Sequence, residues 1–295
     1  MLYYKYLFLL IPVILFSGCG ISQRVSELQS EAGEAYDNEK FEEALFYYEE
    51  IIDLKNDRGH DVSGNTYYNA GMAAYETGHN RKTIEYLQLA HRNNHTTERS
   101  YYILATTYRK IDNLSLEITN LEAYNDNYPE GERIGEVRKR LFETYLESNN
   151  HDNALEIWPL IENMAKEHPG LLEGYFMLNK RLDREEKLED IAHRLLAIDR
   201  DNKTALEYIA EKTFWEAENR YQQEMKAYEQ EKTRRQYRQL LDALDEINDK
   251  LRTARDYFER LYENEQDPQY ATYLMNIYIR FGNDERAEYY RRRAN

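Results

Sequence analysis

This 295-residue sequence is poorest in cysteine, proline and glycine: one Cys, at position 19, five Pro and twelve Gly. A lone cysteine excludes an intrachain disulfide and a thiolate metal site, so packing alone must hold the fold. Scarce proline and glycine leave too little turn chemistry for a sandwich or barrel of many short strands. Positive charge is also in deficit. Lys and Arg total 39 against 55 Asp and Glu, a formal charge of -16, which opposes a phosphate backbone and sets nucleic acid aside. The apolar run Tyr6–Phe16 has eleven residues, well short of the roughly 20 that cross a bilayer. Catalytic signatures are missing too: there is no Gly-rich phosphate loop, no H-E-x-x-H and no G-x-S-x-G. His91 and His95 have helical spacing but no adjoining acid and read as surface histidines, while Glu42/Glu43 and Glu49/Glu50 read as solvated faces. The expectation is a protein that is not an enzyme, with no cofactor and no metal.

What is present favours helices. Hydrophobic residues make up 41% of the chain, enough for a substantial core, and 28 tyrosines supply long amphipathic side chains. At the start, Lys5, the apolar run, then Ser17, Gly18 and Cys19 follow the order of an export signal. The segment F-S-G-C at 16–19 resembles a bacterial lipoprotein box, with Phe16 where that family usually has Leu. The resemblance implies cleavage after residue 18, lipidation of Cys19 with palmitate-type acyl chains and anchoring in the cell envelope: in a two-membrane bacterium at the periplasmic face of the outer membrane, with the inner membrane and the cell surface as alternatives. Removing 18 residues from 295 leaves 277. An ordinary secretory signal with a free Cys19 thiol is the alternative. Ile21–Ser30 reads as a short polar tether.

Beyond residue 31 the chain repeats itself. AYDNEKFEEALFYYEEIIDL at 35–54 has aromatic Phe41, small Ala44, aromatic Tyr48 and apolar Ile51 and Ile52. YYNAGMAAYETGHNRKTIEYLQLA at 67–90 follows the same scheme through Gly71, Tyr75, Gly78 and Leu87, and 101–129 does so through Ala105, Tyr108, Leu121 and Tyr124. This pattern resembles the tetratricopeptide repeat (TPR), two antiparallel helices with aromatic and small residues at fixed offsets. The resemblance implies an all-α, right-handed solenoid of helical hairpins. Aligning on the small residue early in each second helix selects Ala44, Thr83, Glu117, Ala154, about Ile191, Ala254 and Ala287, in steps of 39, 34, 37, 37, 63 and 33. Thr83 and Glu117 depart from the expected Ala, the fifth unit matches poorly, and Pro159 falls inside a second helix. The expected organisation is a leader over 1–18, lipidated cysteine and tether over 19–30, five units over 31–202, an extended hairpin over 203–267 and a closing unit over 268–295.

The long step contains neither proline nor glycine, so its extra length should be helical. From Tyr237, apolar residues Leu240, Leu244, Ile247, Leu251, Ala254, Phe258 and Leu261 alternate steps of three and four, a heptad seam. Residues 204–229 carry a facing stripe through Leu206, Ala210, Ala217, Tyr221, Met225 and Tyr228. An antiparallel coiled-coil hairpin is expected, turning near Glu231–Arg234 and reaching about 40 Å. Its tip is basic, with Lys226, Lys232, Arg234, Arg235 and Arg238 as candidate contacts to an acidic protein or anionic headgroups.

In the TPR family first helices line a concave groove. By offset, the resemblance assigns to it Tyr68, Asn69, Met72 and Tyr75, then Tyr102, Thr106, Arg109 and Lys110, then Lys139. Flat amphipathic rings cover area at little rotamer cost, and the cations suit an acidic peptide. A TPR subclass clamps a terminal carboxylate with Lys, Asn and Arg. Only Asn69 matches it, because Gln29, Gly33, Arg99 and Ile103 occupy the other offsets. The function expected is a protein-interaction scaffold among envelope proteins, possible partners being components of an outer-membrane assembly or secretion complex. The alternative is a solute- or glycan-binding module using the groove tyrosines.

Overall fold

The computed structural model describes residues 17–294, all of whose regular elements are helical. The leader expected before Ser17 lies outside the described residues. Among the described residues there are fourteen α-helices, one short 3-10 helix and no strand. They pair in sequence as TPR-like hairpins, one of them elongated. None is long and apolar enough to cross a membrane. The described chain divides into two compact units, through Ile157 and from Trp158 onward.

The first unit holds α1 (Ser17–Asp37), α2 (Phe41–Asp57), α3 (Gly64–Glu76), α4 (Asn80–Arg92), α5 (Glu98–Lys110), α6 (Leu114–Asn127), α7 (Ile134–Glu147) and the first turns of α8 (His151–Ile161). Each of α2 to α6 packs on the helix before and the helix after it, and first helices α3 and α5 also touch. That arrangement buries apolar stripes between neighbours, as a repeat must. The expected tether at 21–30 is instead part of α1. Val25, Leu28, Ala32 and Ala35 form a stripe of three- and four-residue steps, buried against Ala44, Leu45 and Tyr48 of α2. Intervening Ser, Glu and Gln hide this stripe in a reading by composition, although its helical period is visible.

One local device sets the register of the short hairpins. A residue in the left-handed region ends the first helix of each: Glu39 (φ 59°), Gly78 (77°), Asp112 (54°), Asn149 (56°), Asp183 (52°) and Gly282 (66°). The next residue's N–H then reaches back to the helix, as in Lys40 to Ala35 at 2.9 Å, His79 to Ala74 at 2.8 Å, Asn113 to Tyr108 at 2.9 Å, Asn150 to Tyr145 at 2.8 Å, Arg184 to Asn179 at 3.0 Å and Asn283 to Tyr278 at 3.0 Å. This is the Schellman closure, which satisfies carbonyls left open at a helix end. Five residues beyond each left-handed position stand Ala44, Thr83, Glu117, Ala154, Leu188 and Ala287, all buried. The fifth equivalent is therefore Leu188 and not Ile191, and the spacing from Ala154 is 34, the family's own period.

The second unit continues α8 into the 3-10 helix Glu162–Lys166, then α9 (Pro169–Arg181), α10 (Glu185–Ile198), α11 (Lys203–Gln230), α12 (Arg234–Asn264), α13 (Pro268–Arg280) and α14 (Asp284–Arg291). Pro159 lies inside α8, whose regular helix ends two residues later. Pro169 and Pro268 begin α9 and α13, at the helix start where the missing N–H costs nothing. Helices α11 and α12 form the elongated antiparallel pair, and α12 also packs on α13. The seam residues Leu240, Ile247, Leu251, Ala254, Phe258 and Leu261 are buried, with Leu206, Ala210, Phe214 and Ala217 on the facing helix. Tyr237, expected to open the seam, is instead 50% exposed. It sits one turn beyond Leu240, where only the Tyr228 ring of α11, 5.7 Å away, leans on it and no helix covers its other side.

Candidate functional site

The residues assigned to the groove lie on the first helices of three successive hairpins in the first unit: Tyr68, Asn69, Met72 and Tyr75 on α3, Tyr102, Thr106, Arg109 and Lys110 on α5, and Lys139 on α7. Three cavities run along this face. Tyr36, Tyr48, Tyr68, Asn69 and Arg99 line the first, of about 250 Å³. Tyr68, Tyr75, Arg99, Tyr102, Tyr124 and Arg133 line the second, of about 570 Å³. Tyr102, Thr106, Arg109, Lys139, Arg140 and Glu117 line the third, of about 280 Å³. Tyr68 and Arg99 are shared by the first two and Tyr102 by the last two, so the depressions form one interrupted channel. Met72 lines the first cavity as well, although most of its side chain is covered. It is only 3% exposed and packs with Leu87, Ile103, Leu104 and Tyr108, because α3 is covered on this side by α5.

Several groove side chains are already held in place. The Tyr102 hydroxyl donates to Glu136 at 2.6 Å and its ring lies 4.8 Å beneath the Arg133 guanidinium. Lys110 sits 4.4 Å over the Tyr75 ring, and the Thr106 hydroxyl donates to the Tyr102 carbonyl at 2.8 Å. Burial, reinforced by the Glu136 carboxylate, raises the Tyr102 phenol above its ordinary value, so it remains a neutral donor. Arg99 pairs with Glu76 at 3.3 Å. Among the described residues neither Arg109 nor Lys139 makes an ion pair. Two uncommitted cations therefore rim the third cavity.

The floor of that cavity is a feature the sequence reading did not assemble. Arg140 of α7 forks onto Glu117 of α6, Nε to Oε1 at 2.6 Å and Nη2 to Oε2 at 3.1 Å. Its remaining nitrogen, Nη1, reaches Glu143 at 3.2 Å and Glu147 at 2.8 Å. Glu117 is 3% exposed, at the very position where the repeat expects a small residue. A buried carboxylate in that place requires a cation from the neighbouring hairpin. The displaced Ala was visible in the sequence; which of Arg138, Lys139 and Arg140 would answer it was not.

His91 and His95 serve packing more than the surface. His91 bonds the Ser100 hydroxyl at 2.7 Å and lies tilted against the Tyr101 ring, and His95 packs on Tyr68. Burial, helped by His95, lowers the His91 pKa from its ordinary value. Among the described residues no group of three or more His, Cys, Asp or Glu side chains could hold a metal ion.

The second unit offers two further surfaces. A depression of about 670 Å³ between first helices α11 and α13 is lined by Phe214, Trp215, Tyr273, Asn276 and Ile279. Trp215 is 51% exposed. Neither Trp215 nor Ile279 was singled out in the sequence, where adjacent Phe214 and Trp215 look alike although one faces the core and the other water. At the hairpin tip, Lys226, Lys232, Arg234, Arg235 and Arg238 are all exposed.

No family model matches the sequence, and no curated protein matches it. Solved structures do resemble it. One from Bacteroides ovatus ATCC 8483 aligns with a TM-score of 0.50 at 17% identity, over 75% of this chain and 98% of that one. YrrB, a TPR protein with an unusual peptide-binding site, aligns with a TM-score of 0.47 at 16% identity, over 64% and 96%. A tetratricopeptide repeat protein from Parabacteroides merdae ATCC 43184 gives 0.44 at 13% identity, over 92% of each. Likeness at this identity speaks to fold alone.

Proposed function

We propose that the chain is an envelope-anchored scaffold that holds other proteins, and that the first-helix face of α3, α5 and α7 receives an extended acidic segment of a partner. The observation that carries this reading is the third cavity, where Arg109 and Lys139 are left uncommitted above a floor whose own charges are internally paired. Pre-positioned side chains lower the ordering cost of binding, and two free cations suit carboxylates. The chain's overall negative charge would keep acidic partners off most of its surface and favour encounter at such a rim. Stacking on sugar rings is the weaker alternative, since Lys110 and Arg133 already cover the faces of Tyr75 and Tyr102.

A photo-crosslinking residue at Thr106 should trap a discrete protein partner in intact cells. Arg109→Glu with Lys139→Glu should abolish that adduct while leaving the far-ultraviolet circular dichroism unchanged. An adduct that survives both reversals places the contact elsewhere. The anchor has its own test: Cys19→Ala should move the protein from the membrane to the soluble fraction, and unchanged sedimentation with membranes would refute lipidation as the tether.

A further inference from the structure

The distal end of the α11–α12 hairpin is built differently from the rest of the chain. On α11 the last buried residue is Ala217 and on α12 the first is Leu240; nothing between them is buried. Over 226–238 five cations, Lys226, Lys232, Arg234, Arg235 and Arg238, stand against two carboxylates, Glu229 and Glu231. Among the described residues none of the five makes an ion pair. Elsewhere on the same two helices cations do: Lys212 with Glu216 at 2.8 Å, Arg220 with Glu224 at 2.9 Å, Arg252 with Asp249 at 2.5 Å and Arg260 with Asp201 at 2.7 Å.

Placement raises the local potential further. Arg234 and Arg235 open α12, whose first turn holds no acidic residue. A helix start already presents positive N–H groups, so cations there are disfavoured until an anion arrives. Arg234, Arg235 and Arg238 share one notch of about 270 Å³ with Gln239 and Asp242. Guanidinium forks match phosphate oxygens in such a grouping. Beside them two apolar side chains face water, Tyr237 and Leu241, the former leaning on Tyr228 with ring centres 5.7 Å apart. Cations next to an exposed tyrosine and leucine, at the blunt end of a two-helix projection, suit a lipid interface better than a protein, which would need a larger complementary surface.

We infer that the hairpin tip binds the surface of an anionic phospholipid membrane, with Arg234, Arg235 and Arg238 on headgroup phosphates and Tyr237 and Leu241 in the headgroup boundary. The contact is independent of both the groove and the anchor at Cys19. On a chain of charge -16 it confines attraction to one spot and makes it sensitive to salt.

The test uses the full chain with Cys19→Ser, which removes its only thiol, and Gln239→Cys carrying an environment-sensitive fluorophore. A reporter at the tip ignores binding by any other segment. Vesicles of phosphatidylcholine with roughly one-third phosphatidylglycerol should brighten and blue-shift the dye, reversibly in high salt, while pure phosphatidylcholine should not. Reversing Arg234, Arg235 and Arg238 to Glu should weaken partitioning by more than about a hundredfold, and changing them to Lys should retain most of it. Equal response on neutral vesicles, no response on either, or indifference to the triple reversal would each overturn the inference.

Discussion

The short hairpins of the first unit and the distal half of the long hairpin draw on the same side chains, tyrosine and charge, and use them in opposite ways. In the short hairpins polar groups tie helices together. Tyr86 donates to Glu49 at 2.7 Å, Tyr102 to Glu136 at 2.6 Å and Tyr145 to Glu122 at 2.9 Å, and Tyr124 bonds Glu98. Part of the chain's acidity is thus structural, since each of these four carboxylates accepts from a phenol on another helix. At the long hairpin's tip the cations have no such duty. A helix flanked on both sides finds partners for its polar groups at fixed distances; one that runs beyond its neighbours has only the facing helix and solvent. Charge there costs little to leave unpaired, and it stays available to something outside the molecule.

The comparison is sharpest at two arginines. Arg140→Ala would strand Glu117 in the core and should cost about 3–5 kcal/mol in chemical denaturation, whereas Arg238→Ala at the tip should stay within about 0.5 kcal/mol. Replacing the pair together, Glu117→Ala with Arg140→Met, should recover most of the loss, since a packed apolar pair often equals a buried ionic one. Equal sensitivity at positions 140 and 238 would erase the distinction between tied and free charge.

High pH probes the same ties. Burial, then the hydrogen bond to Glu98, pushes the Tyr124 phenol up to about 12, and Tyr86, Tyr145, Tyr270 and Tyr278 are raised by burial and a carboxylate in the same manner. The unfolded chain sheds these protons near pH 10 while the folded chain retains them, so stability should be intact below about pH 10 and fall as pH rises through 12. Tyr124→Phe should flatten that fall, as read by thermal melts across the range. A melting temperature indifferent to alkali would mean that the phenol–carboxylate bonds are incidental.

The smallest effect concerns the turns. Glu39 holds a left-handed conformation that glycine adopts freely. Glu39→Gly should stabilise the first unit by roughly 0.5–1 kcal/mol, the strain relieved less the added freedom of the unfolded chain. A loss instead would mean that the Glu39 side chain contributes where the backbone explanation says it does not.

Much of the hairpin pattern was legible because it is local. Apolar residues at helical period and turns at nearly constant spacing mark each pair, and the uninterrupted stretch around residues 203–264 announces its length. The first helix was read as starting near residue 31 and its earlier turns as a tether, because polar residues dilute the stripe Val25, Leu28, Ala32 and Ala35. The fifth unit was misaligned because Leu188 stands where small residues usually do, and the left-handed Asp183 that marks the register has no unique spelling. In the groove, offset arithmetic reached cavity-lining residues from Tyr68, Asn69 and Tyr75 to Tyr102, Thr106, Arg109 and Lys139; it could not tell that Met72, which lines the first cavity too, is mostly covered by a helix about thirty residues away.

By itself the sequence determined the helices, their pairing and the place where the pattern lengthens, since period and turn chemistry act between residues a few positions apart. Only the tertiary structure decided which charges are spent and which are free. Arg140 and Lys139 are neighbours in the chain, yet one is locked onto Glu117 and the other is not. The field at a side chain is set by whatever lies within a few ångströms of it, and in a stack of hairpins those atoms come from residues some twenty to forty positions away.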